Sequence, residues 1–217
     1  MAVGDGSIDH ATVARDDRAL QIIEAAYALL GETGLEGLTI RAILARTGLA
    51  RRAFYERFTG KDDLMLAVFE HAIRSAAAYF DREVRHLTDP LDRLRLVVRS
   101  IALGSGADET LGSDFRDRRG AALSREHLRL AETRPVALQI ALSPLLDLIA
   151  RLLAEGTAAG AVRPSSPRRM APLIYNLVAT TVHTDFLTRD MTSGDRQDRE
   201  RLATDIWDFC MGGIVAT

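Results

Sequence analysis

LTIRAILARTGLARRAFYERFTGKD, residues 38–62, decides how this chain is read. The stretch carries six basic residues, Arg41, Arg46, Arg51, Arg52, Arg57 and Lys61, against two acidic ones, Glu56 and Asp62, in a chain whose formal net charge is −2. A small basic unit on a neutral-to-acidic protein is the electrostatic footprint of a nucleic-acid reader. Thr39 stands where an N-cap would open a helix over 40–46, and Ile40, Ile43 and Leu44 form its apolar face. Gly48 marks a tight turn, where a residue without a Cβ costs least. Phe54 and Phe58 are four apart and share one face of a second helix over 50–58. Arg51, Arg52 and Tyr55 are left on its outer faces.

Outward from this unit the chain reads as helices. Upstream, Leu20, Ile23, Tyr27 and Leu30 recur at helical spacing over 17–33, with Ala26 beside them, and Gly34 is placed to stop that helix in a left-handed conformation. Residues 1–16 show no periodicity and are expected to form a disordered polar arm. Downstream, Thr59 stands three before Asp62, a capping-box spacing that opens a long helix to about 86. Asp89-Pro90, Thr133-Arg134-Pro135 and Ser166-Pro167 each begin a further helix, reaching about 103, 155 and 189. A helix over 121–131 lies between the first two, after a glycine-rich charged segment at 104–120 expected to hold short helices or a mobile loop. A last helix covers 195–211. The expectation is an all-α protein of about nine helices, without strands. An arm (1–16) precedes a three-helix helix-turn-helix head (17–62), which is joined to a larger helical domain (63–217).

Composition bounds the remaining classes. The chain has 217 residues, 47% hydrophobic and 6% aromatic, so its core must be built mainly from Ala, Leu, Ile and Val. One cysteine, Cys210, allows no internal disulfide and fits a reducing cytoplasm, the expected location. No uninterrupted apolar run approaches the roughly 18 residues of a membrane span, and no membrane partner is expected. The five histidines, His10, His71, His86, His127 and His183, stand in no metal-binding spacing. No nucleotide fingerprint or nucleophile elbow appears, so neither a metal, a cofactor nor an enzymatic activity is expected.

The stretch TIRAILARTGLARRAFYERFTGKDDLMLAVF resembles the helix-turn-helix signature of the TetR family of transcriptional regulators. The ordered apolar positions, Gly48 in the turn, the Tyr55-x-x-Phe58 pair, and Lys61 before two acids and Leu64 carry the likeness over about 18–70. It implies a homodimer with one DNA-reading head per subunit and a second domain whose pocket binds a small-molecule effector. In such proteins effector binding usually moves the fourth helix and releases DNA, and most are repressors. Where the family often has a small hydroxyl residue this chain has Ala50, and where it often has glycine this chain has Arg52. The operator therefore cannot be borrowed from a relative.

Roles follow for individual residues. Arg51 and Arg52 would meet base edges in the major groove of a double-stranded operator. Thr39, Tyr55 and Lys61 would hold phosphates, Lys61 together with the free N–H groups opening the fourth helix. Arg41, Arg46 and Arg57 read as solvated or ion-paired. Tyr175, His127 and His183 are polar handles on apolar helices and candidates for an effector pocket, with Leu103 and Phe115 as wall; each also reads as an ordinary core or surface residue. The resemblance places the dimer interface on the last two helices, with Leu173, Leu177, Thr180, Thr181, Trp207 and Phe209 as interface residues. A second reading is a helical small-molecule-binding protein that no longer binds DNA and keeps the head as scaffold.

Overall fold

The computed structural model describes residues 7–104, 113–188 and 196–215, with side chains over 17–104, 116–185 and 197–215. The described residues form nine helices: α1 (Ser7–Gly37), α2 (Ile40–Thr47), α3 (Arg51–Tyr55), α4 (Lys61–Val84), α5 (Pro90–Leu103), α6 (Ser113–Thr133), α7 (Pro135–Ala158), α8 (Pro167–Thr188) and α9 (Arg196–Ile214). The only extended pairing among them is a single bridge between Val162 and Val215.

Local chemistry accounts for most boundaries. Gly34 sits at φ 68° and breaks the helical path of α1, a conformation that glycine adopts without steric cost. Thr39 caps α2 by accepting from the Ala42 N–H at 3.1 Å, and Gly48 ends it at φ 68°, donating to the Leu44 carbonyl at 3.0 Å. Asp89 caps α5 through the Leu91 and Asp92 N–H groups, with Pro90 in the first turn. At the start of α4 the partner of Thr59 is Asp63, one residue beyond the expected Asp62: its carboxylate accepts from the Thr59 N–H at 3.1 Å.

Three elements differ from the sequence reading. The chain is helical from Ser7, so residues 7–16 continue α1 instead of forming a disordered arm. Residues 113–120 belong to α6, which runs unbroken to Thr133, whereas 105–112 lie outside the described residues. The buried side of α1 is set by Ile22, Ala25, Ala26, Leu29 and Leu30, and Leu20 is 44% exposed. That stripe is rotated because α1 packs against α2, α3 and α4 on one side and along α6 on another, so two of its faces are apolar.

Two cores result. The head core joins Ile22, Ala26, Leu30, Leu38, Ile43, Phe54 and Phe58 to Leu64, Met65 and Val68 of α4 and Ala122 of α6. The larger core begins at Phe69 and is centred on α7, whose Leu138, Leu142, Leu145, Ile149, Leu152 and Leu153 are all buried. By length and composition α7 is the one described helix that could cross a bilayer, but nine of its residues, from Leu138 to Gly156, are buried in the protein. The first two turns of α4 thus belong to the head and the rest to the body, which makes α4 a lever shared by both.

Candidate nucleic-acid interface and cavity

The head presents α3 and its flanks outward. Phe54 and Phe58 are buried with ring centroids 5.5 Å apart, which fixes the rotation of α3 and turns Arg51, Arg52 and Tyr55 to solvent. Arg51 lies 5.5 Å over the Tyr55 ring and its Nη2 donates to the Tyr55 hydroxyl at 3.4 Å, so the two move as a unit. Arg52 is 89% exposed at its side chain and pairs with Glu56 at 2.8 Å, an i,i+4 contact weak enough to be exchanged for a base edge or phosphate. Ala50 occupies the N-cap of α3 and supplies no side-chain hydrogen bond, so the first turn of the reading helix is uncapped. The Thr39 hydroxyl accepts from Ala42 and keeps its own proton for another partner. Lys61 donates to the Leu35 carbonyl at 3.1 Å, closing the C-terminal end of α1, while Asp62 and Asp63 occupy the first turn of α4. The acids already complement the helix dipole there and oppose an additional anion.

Behind the head lies a cavity of about 660 Å³, within the range of small-molecule sites. Its middle is apolar, walled by Phe69, Ala72, Ala76, Phe80, Ile101 and Leu145. Leu103, His127 and Tyr175 all border it. His183 stands behind this wall, its Nδ1 2.9 Å from the Ser124 hydroxyl, and Ser124 itself faces the cavity. The Phe115 side chain lies outside the described residues. The Tyr175 hydroxyl is 3.3 Å from His127 Nδ1, and the His127 ring also packs on Phe69. Burial, with help from the charge of His183, holds His127 below the usual histidine range, and burial pushes the Tyr175 phenol up. Both are therefore neutral near pH 7.

The sequence reading missed the part of the cavity nearest the head. Tyr27, Ala28 and Glu32 of α1 and Arg46 of α2 border it, opposite Arg119 of α6. Arg119 is buried and stacks 4.4 Å over the Tyr27 ring. Arg118 donates to the Glu32 carbonyl at 2.6 Å. The segment that holds both arginines reads as polar and glycine-rich, and nothing in its periodicity points to a helix lying along α1. Among the described residues no cluster of His, Cys, Asp and Glu is arranged to hold a metal.

Residues 22–68 match the family model described as bacterial regulatory proteins, tetR family. The chain belongs to the TetR family. It is thereby a transcriptional regulator with a DNA-binding head. The fatty acid metabolism regulator protein of Bacillus subtilis is 22% identical to it over 198 residues, or 90% of this chain and 94% of that one. The crystal structure of FadR from Bacillus subtilis, in complex with stearoyl-CoA, superposes with a TM-score of 0.65 at 19% identity, over 90% of this chain and 98% of that one. A TetR-family transcriptional regulator from Pectobacterium atrosepticum gives 0.72 at 17% identity, over 94% and 97%. The two structures share the fold with this TetR-family chain.

The expected dimer residues of this TetR-family protein divide by exposure. Leu173 is 62% and Phe209 72% exposed, and Thr180 also faces solvent. Thr181 is half-buried, and Leu177 packs partly against the subunit's own core. Trp207 is 5% exposed and sits inside that core, so the interface role expected for it gives way to a structural one: the large ring fills space between α9 and its neighbours. Val136 and Ile140 near the start of α7, which the sequence reading did not single out, add exposed apolar surface.

Proposed function

We propose that this chain is a homodimeric repressor that binds a palindromic double-stranded operator and is released from it by a small molecule held in the cavity behind the head. The observation that carries the reading is the sharing of walls. Glu32 and Arg46 of the head border the same cavity as Phe69, His127 and Tyr175 of the body. An occupant would press on α1, α4 and α6 together, and α4 carries Leu64, Met65 and Val68 into the head core. A ligand that binds the DNA-free arrangement better shifts the population toward it. The apolar middle of the cavity and the likeness to a fatty acid metabolism regulator both favour a lipophilic effector, for which stearoyl-CoA is the first candidate to try.

In the head, Arg51 and Arg52 read bases, with Thr39 and Tyr55 on phosphates. The Lys61 ammonium, once it leaves the Leu35 carbonyl, is a third phosphate contact, one that the acid-flanked start of α4 does not support. Two heads in a dimer would address half-sites one helical turn or more apart. The test is selection from random duplexes at moderate salt, repeated with stearoyl-CoA, shorter acyl-CoA esters and the corresponding free fatty acids. The expected outcome is an enriched palindrome lost on adding one of them. Enrichment of no duplex would sink the repressor reading, and a protein that still bound the ligand would be the sequestering type with a scaffold head.

A further inference from the structure

The cavity has one feature that a purely lipophilic ligand would leave unused. His127 projects into it from α6, with Nδ1 held by the Tyr175 hydroxyl of α8. No further hydrogen bond to His127 is present among the described residues, and no buried side-chain nitrogen or oxygen there lacks a partner. Its Nε2 is therefore not sealed in protein and is available to an occupant. A neutral phenol can donate to or accept from Nδ1; in the tautomer that can receive an anion the Tyr175 O–H donates to Nδ1 and Nε2 carries the ring proton toward the cavity.

The charges around that nitrogen favour an anion. No carboxylate contacts the His127 ring: α4 brings the Phe69 ring, α8 brings Tyr175, and His183 behind it bears on the His127 charge. Glu126, next in sequence, is buried and held by Arg129 through two hydrogen bonds. Elsewhere on the rim, Arg46 pairs with Glu32 and Arg199 with Asp117. The lining also carries His71, Arg116, Arg119 and Asp185. An apolar space with a polar floor of imidazole, phenol and hydroxyl, and no carboxylate on the imidazole, matches a hydrocarbon body with one acidic group.

We propose that the effector is a lipophilic acid whose carboxylate is received by His127 Nε2, and that one proton enters the site with it. This rests on the reading of the cavity as the effector site. The proton balance follows from dry surroundings. A lone carboxylate buried beside a neutral imidazole is strongly disfavoured, and the pair becomes tolerable once the imidazole is protonated and both charges are hydrogen-bonded. The acid arrives ionised, and His127 is neutral beforehand, so the proton comes from solvent and lands on Nδ1. Tyr175 then turns from donor to acceptor and keeps its bond to that nitrogen. The same count holds if the acid enters protonated.

The experiment is calorimetric titration of the full chain, without DNA, at pH 8 in two buffers of different ionisation enthalpy. The probes are decanoate, decanol and decanoyl-CoA. The expected result is decanoate binding with uptake of about one proton per site and decanol binding weakly without uptake. His127→Gln should abolish the uptake and cost about ten- to a hundredfold in decanoate affinity. Tyr175→Phe, which leaves the imidazolium without its acceptor, should lower both in part. Decanoate binding without proton uptake, decanol or decanoyl-CoA binding at least as tightly as decanoate, or no binding of decanoate each overturns the proposal. None of these outcomes bears on operator binding, which the random-duplex selection reads separately.

Discussion

Glu32 and Arg46 form an ion pair of 2.7 Å that ties the bend of α1 to the last turn of α2, and both side chains border the cavity. The recognition unit is thus held to its support by a contact that an effector can reach. Arg118 donates to the carbonyl of the same Glu32, so α6 holds that point from the other side. Three elements meet at one residue, and a shift of α6 against α1 is felt by α2 without passing through the larger core.

Replacing Glu32 with Gln should alter coupling more than stability. Arg46 holds the Glu32 carboxyl below the usual carboxylate range, chiefly by its hydrogen bond. A depressed folded-state pKa contributes stability that is present above the ordinary carboxylate pKa and is lost as pH falls through the lowered value. The side chains are 41% and 40% exposed, so the contribution is at most about 1 kcal/mol. Thermal melts should show Glu32→Gln slightly below wild type at pH 7, with the gap closing in acid. The amount of effector needed to release DNA should change by more than the melting temperature suggests; an unchanged release curve would disconnect this pair from the switch.

Arg52→Ala and Tyr55→Phe should weaken DNA binding in different ways. Arg52 loses only an exposed pair with Glu56, so the folded head should survive its removal. A guanine contact is worth about 1–3 kcal/mol of discrimination, and Arg52→Ala should both weaken binding and relax preference at one position of each half-site. Tyr55→Phe removes a hydroxyl that carries no charge, so affinity should fall across all sequences with the salt slope unchanged. Competition binding against single-base operator variants separates the two; a Tyr55→Phe protein that changes base preference would reassign that residue to the groove.

The uncapped start of α3 gives a substitution with the opposite sign. Ala50 has an extended backbone and offers no acceptor. Ala50→Ser should supply the missing cap and raise stability by about 1 kcal/mol. The melting temperature should rise with the secondary structure unchanged, and affinity for the operator should hold or improve as the added hydroxyl meets a phosphate. A lower melting temperature would mean that the extended geometry at residue 50 does not admit the N-cap bond.

The head was legible in the sequence and the cavity was not, for a physical reason. Thr39, Gly48, Phe54 and Phe58 act on neighbours within about a turn, and spacing alone exposes such relations. The rotation of α1 depends on α6, some ninety residues away, and a single-face reading therefore buried Leu20 where the structure buries Ile22. Arg118 and Arg119 read as part of a charged loop because their partners, the Glu32 carbonyl and the Tyr27 ring, come together only when α6 lies along α1. Leu103, His127 and Tyr175 were legible as polar or apolar handles, but their convergence on one space is a property of packing. Trp207 was misplaced because an apolar stripe on a last helix looks the same whether a second subunit or the chain's own core covers it.

The exposed apolar residues give the last prediction. Leu173 on α8 and Phe209 on α9 stand 62% and 72% exposed, and large apolar side chains in such positions are commonly covered by a partner. Burial of a Leu or Phe side chain contributes about 1.5–3 kcal/mol, and twofold symmetry counts each residue twice. A charge at either position would face its own copy or an apolar surface, at a similar cost. Leu173→Asp combined with Phe209→Asp should therefore convert a dimer to a monomer in sedimentation velocity, with helicity and the emission of the buried Trp207 unchanged. Operator affinity should fall sharply, since each head alone holds one half-site. Val136→Asp on α7 serves as a comparison: if it, and not the α8–α9 pair, dissociates the protein, the interface lies across the start of α7.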